Sequence, residues 1–474
     1  MKLNLLTGLA GALALVPSYG FAKQKQKKDQ RPNILLILAD DMGKECLGTY
    51  GSTYSTPNLD AFVEDGLQFN YCSSQPLSTP SRVELLTGRY NNKNYSKFGL
   101  LNQDQKTFAN LAQDAGYKTC IAGKWQLGEN QGLPKHFGFD NYCLYHLTFK
   151  GNKYAKPKFE VDGVVKSDCT EDDYGPDFFS DYICNFMEKN KNQPFLAYYA
   201  MTLVHDPFNA TPESDDWDVD PKLRHAEADK YFPDMVSYTD KLFGKLVKKL
   251  KDLGIYDNTI IIFVGDNGTA RYITTPMKDG SFVKGGKGMN IDASVAVPMI
   301  ARWGNRNLPS HQTDALVDFT DFMPTFAAAM KTQVPAEWDC EGHSFLPVLE
   351  GKENPDARDY VFVHYQANHL PQAGLEKWAC RYVKDRNYKL YSDGSFFNYQ
   401  KDPEERRSIT RVNATKEENE IRDKFRAILD SKGKWKINDK CVKPVILPEF
   451  QLVEQPKQGP KAKATAAAKA QENK

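Results

Sequence analysis

The chain has 474 residues, 41% hydrophobic and 26% charged, and its 62 Lys and Arg against 61 Asp and Glu leave a formal net charge of +1. That length accommodates one large domain with a smaller one beside it, and the mixing of signs offers no clustered basic face for nucleic acid. Nine cysteines stand at irregular spacing with no C-x-x-C pair, which gives no support to zinc or thioredoxin-like chemistry and leaves disulfide pairing open.

Lys2, an apolar run from Leu5 to Val16 and the small-residue ending Gly20-Phe21-Ala22 describe a secretory signal peptide over residues 1–22, cleaved near Ala22. A membrane anchor is the alternative, but the run is short for a bilayer. The expected location is periplasmic or secreted, with no membrane span after cleavage, because no later segment holds 18 apolar residues free of charge. A basic linker follows over 23–31. Asn33–Ala39 is continuously apolar, the mark of a strand buried on both faces of a parallel sheet. Similar runs recur at 119–122, 195–201, 259–264 and 297–301. A helix is predicted over 233–253, with Met235, Tyr238, Leu242, Leu246 and Leu250 on one stripe and Gly254 as its stop. Strands alternating with helices predict an α/β fold, a large, mostly parallel or mixed sheet sandwiched by helices. That domain is assigned to residues 32–365. A smaller α+β subdomain over 366–455 is expected to hold antiparallel strands within 381–391 and 396–399, around Ser392-Asp393-Gly394, and a helix at 415–430. Residues 456–474 are Lys/Ala/Gln-rich and read as a low-complexity tail.

Two strand ends carry carboxylates. Asp40-Asp41 closes the first buried strand, and Asp266-Asn267-Gly268 closes the strand at 259–264. Ligands of parallel sheets gather outside the carboxyl ends of the strands. Three carboxylates and an amide meeting there would call for a hard cation, and oxygen-only donors suit calcium or magnesium. Each pair alone is equally compatible with a helix cap or a turn. A second signal is the run Ser78-Thr79-Pro80-Ser81-Arg82, continuing to Thr87-Gly88-Arg89. Pro80 is favoured in a first helical turn, which would set Ser78 just before a helix N-terminus, where an anion is stabilised.

The full run resembles the serine-type signature of the sulfatase family, C/S-x-P-S-R followed by T-G-R. Asp40-Asp41-Met42-Gly43, Tyr50-Gly51 and 56–60 are similar to the family's opening. Gly123-Lys124-Trp125-Gln126-Leu127-Gly128 is similar to its G-K-W-H-L-G segment, His205-Asp206-Pro207 to its H-x-P and residues 284–288 to its K-G-G-K-G. The stretches 318–325 and 342–351 extend the resemblance, which covers roughly residues 33–405. It implies an alkaline-phosphatase-like fold and a sulfuric ester hydrolase whose nucleophile is formylglycine, made from Ser78 by a serine-oxidising maturation enzyme. Hydrated to a gem-diol, this residue attacks sulfur and expels the alcohol, and its second hydroxyl then ejects sulfate. The resemblance further implies one calcium ion held by Asp40, Asp41, Asp266, Asn267 and the group at position 78. Arg82 would orient the diol, Lys124 and Lys287 would bind sulfate oxygens, and His205 would protonate the leaving alcohol.

Gln126 stands where the family usually has a histidine thought to take the diol proton. An amide does not titrate near neutral pH, so His146 is the candidate substitute base, with packing or substrate binding as its alternative. The stretch 292–296 replaces the family's E-G-G-x-R and is expected to be structural support. Trp125, Tyr142, Tyr145, Phe149 and Tyr154 cluster near the expected mouth of the site, where aromatic faces stack on sugars, although most of them are more readily read as core. With the export signal they point to sulfated carbohydrate as substrate. Two other readings compete. One is a phosphate or phosphonate hydrolase of the same superfamily using unmodified Ser78, which normally needs extra histidines beside its metals. The other, prompted by Gln126, is a sulfated-glycan-binding protein that has lost turnover.

Overall fold

The computed structural model describes residues 31–304, 308–366, 374–437, 439 and 441–450. The expected signal peptide, nearly all of the linker and the 456–474 tail lie outside the described residues. Among those described, no helix is long and apolar enough to cross a membrane.

Ten strands form one mixed sheet in the spatial order Gln312–Asp318, Leu67–Ser73, Ala296–Trp303, Thr259–Gly265, Asn33–Ala39, Phe195–Ala200, Lys118–Lys124, Asn141–Tyr145, Phe159–Val161, Val164–Lys166. Asn33–Ala39 runs parallel to Phe195–Ala200 on one side and to Thr259–Gly265 on the other. Lys118–Lys124 and Asn141–Tyr145 continue the parallel set. Ala296–Trp303 is antiparallel to both its neighbours. The sheet is thus mostly parallel and mixed, as the alternation of elements predicts.

Successive residues of Asn33–Ala39 enter two different cores. Leu35 and Ile37 pack with Phe179, Leu242 and Phe243, whereas Ile34, Leu36 and Leu38 pack with Leu85, Phe108 and Phe326. Both faces are covered by helices, so no position needs a polar residue and the run is continuously apolar. The helix Phe232–Asp252 lies within one residue of its predicted span and buries Met235, Tyr238, Leu242, Leu246 and Leu250.

Register positions the site. Ala39 pairs with Gly265, Leu38 with Ala200, and Ala200 with Gly123. Four strands therefore finish level, and Asp40, Asp266, Lys124 and the 201–207 loop all emerge at one edge. Gly123 makes this possible. Its φ is +100°, and a Cβ there would lie 1.9 Å from the Ala200 carbonyl oxygen.

A four-stranded antiparallel sheet, Val361–Tyr365, Cys380–Lys384, Tyr388–Tyr391 and Phe396–Asn398, forms the smaller unit. The predicted strand region 381–391 is in fact two strands. Asp385 breaks it by accepting hydrogen bonds from the Asn387 and Tyr388 amides. Helix Lys416–Ser431 covers this sheet behind a Thr415–Glu418 capping box. Val363, Tyr365 and Tyr382 pack against Leu77, so the small sheet abuts the start of the Ser78 helix.

Candidate active site

Ser78 is the first residue of the helix Ser78–Thr87, whose N-cap is Leu77. It therefore sits in the first turn, one position further in than the sequence suggests. The whole helix is buried. Ser78 Oγ lies 2.9 Å from Asp40 Oδ1 and 3.2 Å from Asn267 Oδ1. Asn267 Nδ2 donates to Asp41 Oδ1 at 2.8 Å, which turns the amide oxygen toward Ser78. The Asp41 amide donates to Asp266 Oδ1 at 2.9 Å. Asp41 adopts φ 60°, a region that non-glycine residues enter at a cost and that is concentrated at functional sites.

Cationic groups surround these oxygens. Arg82, one turn into the helix, donates its Nε to Asp266 Oδ2 at 3.0 Å, and its Nη2 is 3.6 Å from Asp40. Lys124 Nζ reaches both Asp40 oxygens at 3.0 and 2.8 Å. Lys287 Nζ contacts Asp41 Oδ2 and lies 3.3 Å from His205 Nε2. His205 Nε2 is in turn 3.7 Å from Asp41 Oδ2. Every residue singled out from the sequence for catalysis or metal binding, apart from Gln126 and the candidate base His146, belongs to this connected cluster.

The electrostatics are those of crowded carboxylates. Asp40, Asp41 and Asp266 are all buried. Burial would raise Asp40, but Lys124, then His205 and Arg82, outweigh it and hold the carboxyl well below its usual range. Asp266 is pushed up to about 7 by burial and then by the charge of Asp40, against Arg82. Lys287 is raised, since the charge of Asp41 overcomes its burial. One hydroxyl proton on Ser78 faces two oxygen acceptors, so oxygen lone pairs point at one another. That donor set is all oxygen and rich in carboxylate, and it fits a hard divalent cation. The ligand atoms of Asp40, Asp41 and His205 also lie within 4.8 Å of one another. A nitrogen donor fits such an ion less well, and His205 is held on its other side by Asp206.

A cavity of about 390 Å³ opens onto Asp40, Lys124 and His205, with Gln126, His146 and Lys153 in its wall. Gln126 and His146 face each other across the ends of neighbouring strands, both with positive φ, and the Gln126 amide donates to the His146 carbonyl at 3.2 Å. Burial, and then Lys150 and Lys124, lower His146 to about 4, which makes its ring a weak base at neutral pH. Of the aromatics, Tyr145 and Tyr154 do line the cavity. Trp125 and Tyr142 belong to the core instead, the indole N–H of Trp125 donating to the Gly128 carbonyl. Phe149 is partly buried and packs under Lys158. The stretch 292–296 backs the metal-side corner, with the Ser294 carbonyl accepting from the Gly268 amide and Asp292 paired to Lys384.

Two residues escaped the sequence reading. Lys153 Nζ is 3.0 Å from His205 Nδ1 and 2.6 Å from the Asp206 carbonyl. Asp206 Oδ1 is 2.7 Å from His205 Nδ1, and that contact holds its carboxyl below the usual range. Asp206 lay inside the matched H-x-P segment at its variable position. Lys153 sits in a loop without any motif, and a lone lysine gives no signal.

The comparisons with known proteins agree with this arrangement. The Sulfatase family model matches residues 32–332, and a model of the N-sulphoglucosamine sulphohydrolase C-terminal region matches 284–433. The chain is 29% identical to N-acetylgalactosamine-6-sulfatase of Homo sapiens, over 73% of this chain and 70% of that protein. It is 25% identical to N-acetylglucosamine-6-O-sulfatase of Bacteroides thetaiotaomicron, over 92% of each. Among solved structures, Ps i-CgsB in complex with k-i-k-neocarrahexaose superposes with a TM-score of 0.69 at 25% identity, covering 88% of this chain and 96% of that one. A family match across nearly two thirds of the sequence, with these polar residues gathered at one sheet edge inside it, settles the assignment: the chain belongs to the sulfatase family of enzymes.

Proposed function

We propose that the protein hydrolyses sulfate esters of carbohydrates, with Ser78 oxidised to formylglycine as the nucleophile and calcium as the cofactor. The observation that carries this reading is the contact of Ser78 Oγ with Asp40 Oδ1 and Asn267 Oδ1, beside Lys124. Asp40, Asp41, Asp266, Asn267 and the group at position 78 would hold the ion. Bound calcium would supply positive charge that polarises a sulfate oxygen. Arg82 fixes the Asp266 carboxylate and the helix that carries residue 78. Lys124, in the cavity lining, and Lys287, on Asp41 beside His205, present ammonium groups next to the carboxylates, where sulfate oxygens gain charge during transfer. His205 is held at Nδ1 by Asp206, leaving Nε2 toward the reacting centre to give a proton to the departing sugar oxygen. Carbohydrate as the substrate class is supported by the relatives, which are named for N-acetylgalactosamine and N-acetylglucosamine sulfates, and by the neocarrahexaose complex. Export by a signal peptide over 1–22, a catalytic domain beginning at 32, a smaller C-terminal subdomain that starts at the strand Val361–Tyr365 rather than at 366, and a serine-oxidising partner enzyme complete the proposal.

Protein made together with its maturation enzyme should show loss of two hydrogens at Ser78 by mass spectrometry, and Ser78→Ala should abolish sulfate release from sulfated sugars. Full turnover with an unmodified Ser78, above all on phosphate or phosphonate esters, would sink this mechanism in favour of direct serine attack.

A further inference from the structure

A second cavity, of about 570 Å³, adjoins the one over Asp40 and His205. Gln126, His146 and Lys150 line both, so the two spaces meet at the position where the family's histidine is replaced by an amide. Each volume exceeds the roughly 300 Å³ at which small-molecule sites begin. The far wall is built by a segment distant in sequence. Residues 441–450 cross the catalytic domain, and the Gln103 amide donates to the Val445 carbonyl at 3.1 Å. The Val445 amide donates to Asn102 Oδ1 at 3.1 Å, and the Leu447 amide to Gln103 Oε1 at 2.6 Å. The Phe450 ring meets His136 at a centroid distance of 5.0 Å. This strap brings Ile446 and Phe450 to face Phe98 and Leu133 across the cavity.

The lining has two chemistries. Phe98, Leu100, Ile446 and Phe450 offer apolar faces, while Gln103, Gln126 and Asn130 offer amides that both donate and accept. A pyranose ring presents the same pair of surfaces, an apolar face and a hydroxyl rim. Lys97 and Lys150 stand at the rim, exposed, and no ion pair with either is found among the described residues; Glu129 is the one acid there. A net positive rim suits a neighbouring sugar that carries a sulfate or carboxylate of its own.

From these observations we propose that the second cavity is a subsite for the sugar next to the sulfated one, walled by the 441–450 strap, so that the substrate is an anionic oligosaccharide. The inference rests on the sulfated-carbohydrate reading above and extends it from one sugar to two or more. Gln126, at the junction, then serves as a hydrogen-bonding partner for the linkage region.

The test uses the full chain and two probe series: mono-, di- and tetrasaccharides ending in N-acetylhexosamine 6-sulfate, and neocarrageenan oligosaccharides of two to six sugars. For the series that is turned over, kcat/KM for sulfate release should rise at least about tenfold from one sugar to two. Phe450→Ala and the exposed-site variant Lys97→Glu should each remove most of that gain while leaving the monosaccharide rate within about twofold. Equal kcat/KM at all lengths, or variants that lower every length alike, overturns the subsite and leaves the sulfatase mechanism intact. If no probe loses sulfate, calorimetric binding to Ser78→Ala decides the matter separately. Affinity that grows with length and falls in Phe450→Ala and Lys97→Glu upholds the subsite while the proposed turnover fails, and no binding at any length overturns both.

Discussion

Lys153 Nζ lies 3.0 Å from Nδ1 of His205, in the cavity wall and on the side of the imidazole away from Lys287. The same ammonium group donates to the Asp206 carbonyl at 2.6 Å, so one side chain pins both ends of the 205–206 turn. Burial, and the charge of Lys124, lower Lys153 to about 7 despite the attraction of Asp40. Lys153→Met should keep the fold, since an unbranched apolar side chain fills the same space, but loosen the 205–206 turn by releasing the Asp206 carbonyl, and with it the Asp206 contact that aims the imidazole. A misdirected proton donor matters most when the leaving oxygen is a sugar alkoxide. Sulfate release from a sulfated sugar is therefore expected to fall about 10- to 100-fold, with little change for 4-nitrophenyl sulfate, whose phenolate leaves without help. Equal losses on both substrates would mean that Lys153 acts on binding rather than on His205.

Removal of the cation gives a second expectation, read first from melting temperature. Protein stripped with EGTA should melt lower than protein with added Ca²⁺, because the bound ion adds about 2.7 kcal/mol of stability when it stands at a hundredfold excess over its Kd. Sulfate release should vanish and return together with the melting temperature. Asp40→Asn should abolish the shift, because Asp40 Oδ1 is the oxygen in contact with Ser78. A shift produced by Zn²⁺ but not by Ca²⁺ or Mg²⁺ would contradict the oxygen-only reading of the donor set.

How much of this was legible in the sequence follows from where each signal lived. Asn33–Ala39 and Thr259–Gly265 could be found because strands buried on both faces must be apolar throughout, and their polar sequels mark the edge. Leu67–Ser73 reads LQFNYCS and Gln312–Asp318 reads QTDALVD. Mixed polarity near the side of a sheet resembles loop composition, so these strands carried no such signal. The helix Gly175–Asn190 was obscured by Phe178, Phe179, Tyr182 and Phe186, aromatics of modest helix propensity, along its length. Trp125 is core, the reading favoured for most of these aromatics, and the Gly128 carbonyl that takes its N–H shows it directly. Lys153 reaches the site through tertiary placement of a loop, which no local pattern encodes.

A third prediction concerns stability against pH. Glu84, on the inner face of the Ser78 helix, accepts from Gln75 Nε2 at 2.9 Å and stands beside Asp318. Its pKa is raised well above the ordinary value, first by burial and then by the Asp318 charge; Asp318 is itself raised by burial, against Arg358. A carboxyl raised on folding contributes stability that is complete below its unfolded pKa and is lost as pH climbs through the folded one. Stability, read as melting temperature, should accordingly decline as pH rises above the ordinary glutamate value of about 4.3, at up to about 1.4 kcal/mol per pH unit until the buried group ionises. Glu84→Gln keeps the contact with Gln75 and offers an N–H to Asp318. It should flatten this decline and melt higher than the wild type at pH 8. Parallel pH profiles for the two proteins would show that Glu84 and Asp318 share no proton.

The fourth prediction turns on Gln126, the residue that departs from the family pattern beside His146. If nothing takes the proton that a histidine would accept there, the sugar alcohol should leave quickly and the sulfated enzyme should break down slowly. Rapid mixing would then show a burst of alcohol, stoichiometric with enzyme, ahead of a slow steady rate. His146, lowered to about 4, is a poor substitute at neutral pH, so His146→Ala should leave the steady rate nearly unchanged. Gln126→His should raise it, by roughly 10²-fold if the new imidazole reaches the residue at position 78. The left-handed backbone of Gln126 is retained by a histidine at modest cost. The adjoining cavities leave room for the ring. Should the Gln126→His protein show the same burst and the same slow phase, the missing base does not limit breakdown. A steady rate lost in His146→Ala would instead make His146 the working base, in spite of its low proton affinity.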